Sequence, residues 1–395
     1  MFKISNTINY LHLFQKKQRG AALMVMLVIL ILGATAMLVS ALNSTTLLAE
    51  RNNITSRALA QAKDGLIGRA VTDENHPGSL PCPDISNDGT APSTVGQPGN
   101  NCPSYIGRLP WKSLGLPDLR DESGEKLWYA LSPNYRDSTG NTINSNTVGT
   151  LQIYDNSGTT LLTPAGAEAA AIIFAPGAVI GSQLRGDLAN QNLATNYLDI
   201  GPNGVNNSNP TGPFIAADKA SSFNDRLMII KTRDIISIVE KRAAKDLTTA
   251  FASYFASNGN TYPNPANFNS CTSVSACPSD NTICLGKIPL TAITPYLLNT
   301  WFAVNKWFDV VYYTAGTSYM SGGTGMGCAT TLNISGVSSK ALFIMPGVPV
   351  NGIVRATSLD TSSIANYIED IENQNLDAIY VTPSTSSIDT LKILP

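Results

Sequence analysis

Phe174-Ala175-Pro176-Gly177 returns 170 positions later as Ile344-Met345-Pro346-Gly347. At the same offset Arg185 becomes Arg355, and Asn196-Tyr197-Leu198-Asp199 becomes Asn366-Tyr367-Ile368-Glu369. Three matches at one offset, in one order, mark an internal duplication. Other landmarks follow at offsets shifted by loop insertions. Gly107-Arg108-Leu109-Pro110 pairs with Gly286-Lys287-Ile288-Pro289, and Leu127-Trp128-Tyr129 with Val311-Tyr312-Tyr313. Asp225-Arg226-Leu227-Met228-Ile229 pairs with Asp389-Thr390-Leu391-Lys392-Ile393. Each copy opens with a helix. In the second copy it is expected over about Thr232 to Ser257, where Ile235, Ile236, Ile238, Val239, Ala243, Leu247, Ala250, Phe251 and Phe255 form a wide apolar stripe. After each helix come a Pro-punctuated loop and short strands rich in Tyr, Phe, Val and Ile.

Towards the N-terminus, Ala21 to Leu42 reads AALMVMLVILILGATAMLVSAL, without a charge. At 1.5 Å per residue this stretch reaches about 33 Å, enough for a bilayer core. Lys3, Lys16, Lys17 and Arg19 precede it, and a mixed Glu50-Arg51 pair follows, which places the N-terminus in the cytoplasm. A secretory signal carries a shorter apolar run with its small-residue site afterwards. Here the small residue, Gly20, comes first. No Pro occurs between Asn43 and Val71, and Leu47, Ile54, Ala58, Leu59, Ala62 and Leu66 recur mostly at steps of three, four or seven. The expectation is a helix of roughly 45–50 residues, its first half in lipid and its second half on a domain. His76-Pro77-Gly78 ends it, with His76 a solvated turn residue.

Composition narrows the function. Of 395 residues 43% are hydrophobic and only 14% charged, which excludes disorder and suits a loop-rich extracytoplasmic protein. Setting aside the four basic residues before Gly20 leaves 22 of the 26 against 28 acids, so the remainder is no electrostatic nucleic-acid binder. His12 and His76 are the only histidines, and GxSxG, HExxH and GxxxxGK[ST] are all missing. Gly322 to Gly327 reads as a loop rather than a phosphate cradle. No catalytic residue or cofactor is assigned.

Lys16-Lys17-Gln18-Arg19-Gly20, followed by Ala21-Ala22-Leu23, resembles the class III signal of type IV prepilins and type II secretion pseudopilins. The resemblance implies cleavage after Gly20 by prepilin peptidase and N-methylation of Ala21. Tyr254 to Pro263, with Asn258-Gly259 and Tyr262-Pro263, looks like the helix-to-loop element of pseudopilins. Leu80-Pro81-Cys82-Pro83-Asp84, Cys102, Gly107-Arg108-Leu109-Pro110-Trp111 and Leu114-Gly115-Leu116-Pro117 resemble a group of pseudopilin-like membrane proteins with a Cys-flanked loop and a Leu-Pro-Trp turn. In most members the fifth mature residue is Glu, whose carboxylate neutralises the terminal amine of a neighbouring subunit. Here that position is Val25, and no acid occurs from Ala21 to Leu42. An unpaired buried ion costs several kcal/mol, so such a subunit repeats poorly and suits a filament end. The tip pseudopilin of type II secretion is similar in lacking the acid and in its enlarged ectodomain.

Six cysteines follow the apolar segment, in a compartment where oxidation is expected. Cys82 and Cys102 flank the first loop and are expected to pair. Cys271, Cys277, Cys284 and Cys328 allow three pairings, of which the duplication favours Cys271 with Cys284 and Cys277 with Cys328. Asp84, Asn87, Asp88 and Gly89 read first as a turn and second as an oxygen-rich calcium loop of the sort that stabilises pseudopilins.

The expected fold is α+β. A leader spans 1–20 and the transmembrane half of a long N-terminal helix spans 21–42. Two tandem pilin-like units follow, 43–231 and 232–395, each a helix on a small antiparallel sheet. The expected function is that of a minor pilin or pseudopilin, single-pass in the bacterial inner membrane with its ectodomain in the periplasm, later at a pilus or pseudopilus tip. Its expected partners are other pilins, prepilin peptidase and the inner-membrane assembly platform. Two alternatives stand beside it: an anchored adhesin that never enters a filament, and a periplasmic hydrolase, which requires two converging acids in a cleft.

Overall fold

The computed structural model describes residues 19–41, 44–273, 275–321, 328–350, 353, 355, 363–374, 377–383 and 388–395. The leader through residue 18 and the glycine run 322–327 lie outside the described residues. The chain forms two compact units, Met1–Asn53 and Ile54–Pro395, each taken by itself below.

Helix α1 (Arg19–Ala41) lies in the first unit, and helix α2 (Ser44–Thr72) begins there. Among the described residues no helix is long and apolar enough to cross a membrane. This overturns the transmembrane helix expected over 21–42, and with it the single-pass inner-membrane placement. The run of large apolar residues in α1, Leu23 to Leu32, rises only about 15 Å, half of a hydrocarbon core. Gly33-Ala34-Thr35-Ala36 follows, and the Thr35 hydroxyl bonds the Ile31 and Leu32 carbonyls. The expected single long helix is described as two.

The second unit mixes helix and sheet. Its strands are β1 (Ile106–Arg108), β2 (Trp128–Leu131), β3 (Ile153–Tyr154), β4 (Ala169–Ala175), β5 (Phe214–Ile215) and β6 (Arg226–Lys231). After helix α3 (Thr232–Ser257) come β7 (Leu285–Lys287), β8 (Tyr312–Ala315), β9 (Leu332–Ile334), β10 (Val337–Ser339), β11 (Ala341–Met345), β12 (Ile379–Tyr380) and β13 (Thr390–Leu394). Four sheets result. Two are four-stranded antiparallel meanders, β1-β2-β4-β6 and β7-β8-β11-β13; the smaller ones are β3-β5 and β10-β9-β12.

The two meanders repeat each other residue by residue. Gly107 faces Tyr129 and Gly286 faces Tyr313. Ile173 lies between Tyr129 and Met228, as Phe343 lies between Tyr313 and Lys392. The glycines, the tyrosines and the pair Met228 and Lys392 are paired by the internal matches, and Ile173 and Phe343 stand one position before the Pro-Gly match at the same offset. The repeat extends into the loops. Leu80 bonds the Tyr135 carbonyl (2.7 Å) and Tyr262 the Tyr319 carbonyl (2.5 Å), while Asp84 pairs with Arg108 and Ala266 with Lys287. The Pro-spaced segments Leu80 to Asp84 and Tyr262 to Ala266 are therefore equivalent, and each runs hard against the first strand of its sheet.

The helices repeat as well. Thr55, Ala58, Leu59, Ala62, Leu66 and Ala70 of α2 are buried at steps of three and four, and so are Ile236, Val239, Glu240, Ala243, Leu247 and Phe251 of α3. Alternation along the first meander sends Tyr129, Leu131, Ala171 and Ile173 to the helix side, and Trp128, Ala130, Ile172 and Phe174 to a second core with β3 and β5. The helix-side core is shared by both halves. The division read between 231 and 232 falls at the junction of β6 with α3, inside this compact unit.

Two glycines fix the close approach of loop to sheet. A Cβ at Gly107 would stand 2.6 Å from the Asp84 carbonyl oxygen, and one at Gly286 would stand 2.1 Å from that of Ala266. Backbone cannot swing aside as a flexible side chain does. Gly107→Ala and Gly286→Ala are each expected to destabilise by about 1–3 kcal/mol. Gly68→Ala, exposed on α2 with nothing within 4 Å, is expected to gain roughly 0.5–1 kcal/mol. Urea unfolding followed by circular dichroism measures all three. Wild-type stability in both of the first two variants would contradict the close approach.

Candidate functional site

Each half carries one arginine drawn under the Pro-Gly turn that first revealed the duplication. The Arg185 side chain is 5% exposed and donates to the carbonyls of Gly177 (2.7 Å), Asn196 (2.9 Å) and Tyr197 (3.2 Å). Arg355 is 1% exposed and donates to those of Gly347 (2.5 Å), Asn366 (2.8 Å) and Tyr367 (3.4 Å). Each guanidinium stacks on the tyrosine it bonds, at 4.9 Å from the Tyr197 ring and 5.0 Å from the Tyr367 ring. Arginine suits this place because its planar fork satisfies several carbonyls at once.

Beneath each arginine lie two adjacent carboxyls. Asp225 accepts from the Asp199 N–H (2.8 Å) and Asp389 from the Glu369 N–H (2.9 Å). Asp199 accepts in turn from the Asn224 N–H (2.7 Å), and Glu369 from the Ile388 N–H (3.1 Å). The turn glycines donate to a third acid, Gly177 to Asp121 (2.8 Å) and Gly347 to Glu240 (2.9 Å). Burial pushes Asp225 well up, and repulsion from Asp199 adds to it. Burial likewise raises Asp199. Asp389 is pushed up to about 8 by burial and the neighbouring Glu369, and Glu240 up to about 8 by burial.

Converging acids, which the hydrolase alternative requires, therefore exist twice. Asp199, Asp225 and Asp389 are buried and Glu369 is partly so, and their oxygens hold main-chain N–H groups of the loops, so what the arrangement does is fix two loops over two sheets. Arg185, Arg355, Asp199, Glu369, Asp225 and Asp389 were all among the internal matches. Asp121 and Glu240 were not. Glu240 had a legible signal, being an acid set within the apolar stripe of α3; Asp121 had none.

The other expected positions fall as follows. Gly20 and Ala21 lie in the first turn of α1, which holds no acid, and Val25 is 59% exposed. Cys82 and Cys102 are bonded as expected. The second half pairs differently: Cys271 with Cys277, and Cys284 with Cys328. Thr272 N–H bonds the Ala276 carbonyl (3.0 Å), folding Cys271 back onto Cys277. The Thr314 hydroxyl holds the Cys284 carbonyl (2.9 Å), and Thr317 and Ser318, just past β8, bond Ala329 and Thr330. That lays Cys328 beside Cys284. Asp84 is buried, and its oxygens accept N–H groups from Ser86, Asn87 and Gly89 at 2.7–2.8 Å. The Asn87 side-chain oxygen takes Lys126 (2.9 Å) and Asp88 takes Thr90 (2.8 Å). These oxygens accept from loop donors and from Lys126, and among the described residues no group of three or more His, Cys, Asp or Glu could hold a metal ion.

His76 differs from its expected solvated place. Its Nδ1 faces Asp137 at 3.4 Å with the side chain 14% exposed. Arg69 pairs with Asp73 and with Asp137 (3.2 Å). Arg69, His76 and Asp137 line a cavity of about 490 Å³ together with Pro92 and Thr94.

Compared with family models, with curated proteins and with solved structures, the chain matches none.

The buried acids set a pH dependence. A carboxyl whose pKa is higher folded than unfolded binds more protons in the native state between the two values, so stability falls as pH rises through that window. For Glu240 the window runs from the ordinary carboxylate range to about 8. The slope is at most about 1.4 kcal/mol per pH unit for one proton. Glu240→Gln keeps an oxygen for Gly347 N–H and removes the titration. Urea unfolding at several pH values between 5 and 8.5 is expected to show a shallower fall in this variant than in wild type. Equal slopes would overturn the assignment.

Proposed function

We propose that this chain is a minor pilin-like subunit that acts by protein–protein interaction, at the tip or in the initiation of a type IV pilus or type II secretion pseudopilus. One observation carries the reading. Every large apolar residue from Leu23 to Leu32 in α1 is exposed, between 51% and 69%. Ten consecutive positions point in all directions around a helix. A helix apolar all round is suited to burial among other apolar surfaces. A bundle of equivalent helices from other subunits provides that surrounding, with burial worth about 25 cal/mol per Å².

Two features favour an end position. Val25 stands where a repeating subunit carries its acid, and α1 has no acid in its first turn. A neighbour's terminal amine packed against this helix would meet no carboxylate, at a cost of several kcal/mol. The doubled meander also makes a bulky subunit, which an end accommodates more readily than a shaft. Prepilin peptidase, cutting after Gly20 and methylating Ala21, would expose the amine, and the assembly platform would take up the product.

Intact mass of the chain co-expressed with a prepilin peptidase is expected to show loss of residues 1–20 and gain of one methyl group. Gly20→Val is expected to stay unprocessed; nothing lies within 4 Å of a Cβ at Gly20, so the effect reports peptidase recognition and not folding. Immunogold labelling of sheared filaments is expected at their ends only. Labelling along the shaft, or a wild-type chain that keeps its leader, would remove the reading.

A further inference from the structure

The two halves differ at one place where their frameworks coincide. In the first half Lys63, on the part of α2 within the second unit, reaches the edge strand β6. Its Nζ donates to the Ile229 carbonyl (3.2 Å) and pairs with Asp234 (2.5 Å). Since Ala62 corresponds to Ala243, Lys63 corresponds to Ala244, and Ile229 to Ile393. A methyl group replaces a lysine side chain, and the space opens into a groove of about 290 Å³ between α3 and β13. Lys241 and Lys245 flank it one helical turn apart, Lys392 faces them from β13, and Thr248 and Thr390 complete the walls. All three lysines are exposed.

Like charges one turn apart repel by a few tenths of a kcal/mol. Lys63 has its carboxylate in Asp234; among the described residues none lies within ion-pair distance of Lys241, Lys245 or Lys392. The strand beside them is also open on one side. Among the described residues β13 pairs with β11 alone, at the end of its sheet, and Lys392 and Ile393 are exposed. An edge with unpaired main-chain groups is a template for a further strand.

We infer that this groove is a docking site for an extended acidic segment of a partner protein, which adds to the free edge of β13 and places its carboxylates against Lys241, Lys245 and Lys392. The occupant's chemistry follows from the first half, where the same position holds a carboxylate against a lysine beside an edge carbonyl. The site does not depend on the filament reading, and it is tested separately from it.

Fluorescence anisotropy of a labelled peptide of alternating Thr and Glu, titrated with the full-length chain, reads the interaction. Binding is expected to weaken by about tenfold or more when Gln replaces Glu in the peptide, or in the Lys241→Ala/Lys245→Ala/Lys392→Ala variant. Ala244→Lys, which restores the side chain of the first half, is expected to abolish it. A proline-interrupted peptide is expected to bind weakly, because a strand must lend its N–H groups. Equal binding by the Gln peptide or by the triple variant would overturn the site. Equal binding by the proline peptide would overturn strand addition. Full competition by free glutamate would reduce it to a small-carboxylate pocket. A concentration-dependent dimer lost in the triple variant would assign the groove to a second copy instead, and no binding at all would remove it.

Discussion

The packing of α3 is the constraint on which the unit Ile54–Pro395 depends. Ile235, Ile236, Val239, Ala243, Leu247, Ala250 and Phe251 are all buried in the core common to the two halves. Full burial of a large apolar side chain is worth roughly 1.5–3 kcal/mol. The polar residues of the same helix complete the connection. Asp234 takes Lys63, and Arg242 donates to the Val71 and Asp73 carbonyls (2.7 Å each), capping the end of α2, while stacking on Trp301. Each first-half contact is made by a residue that also belongs to the helix of the second half. A helix that serves one sheet and locks the other explains why a duplicated chain forms one compact body here and not two.

Duplication preserved geometry and changed the means of holding it. Both turns after the third strand need an acceptor for a glycine N–H. A loop acid, Asp121, supplies it in one half, and a helix acid, Glu240, in the other. Glu240 occupies the position of Leu59 in α2. The first half keeps an apolar residue on its helix and satisfies the turn from a loop; the second accepts a buried acid and its raised pKa. Arg108 and Lys287 diverge in the same manner. Arg108 stacks over Trp128 and Tyr197, whereas Lys287 is fully buried against Asp309 at 3.3 Å.

What could be read from the sequence was what the backbone itself demands. Gly107 and Gly286 recur because any side chain there strikes a carbonyl, and Arg185 and Arg355 because one fork must satisfy several loop carbonyls. Such residues tolerate little substitution, so their spacing survives while helices and surfaces drift. The stripe of α3 was legible for the ordinary reason of period. The second-half disulfides were not, because Cys284 meets Cys328 through strand pairing that local spacing does not encode. Nor was His76, whose partner Asp137 arrives from a distant loop. In α1 the absence of charge reads as a span, but Gly33-Ala34-Thr35-Ala36 breaks the run of large apolar residues after Leu32.

Because the halves share a framework, each serves as the control for the other. Positions alike in both, the glycines, the arginines and the core tyrosines, carry the fold. Charged side chains that diverged at equivalent positions mark where the halves no longer do the same thing. Asp137 N–H bonds the Leu80 carbonyl just as Ser321 N–H bonds that of Tyr262, so these two residues are counterparts. Arg69 stands where α3 has Ala250. The second half has Ala250 buried and Ser321 beside the Tyr254 hydroxyl (3.4 Å), and the first half has an arginine, a histidine and the Asp137 carboxylate lining a cavity. The groove of α3 and β13 shows the converse, since among the described residues no carboxylate pairs with its lysines, whereas Lys63 has Asp234. Ionic groups cost free energy to gather, and a core does not require them at either place. Divergence of charge on a conserved frame is thus the physical trace of specialised surfaces, one on each half of a single body.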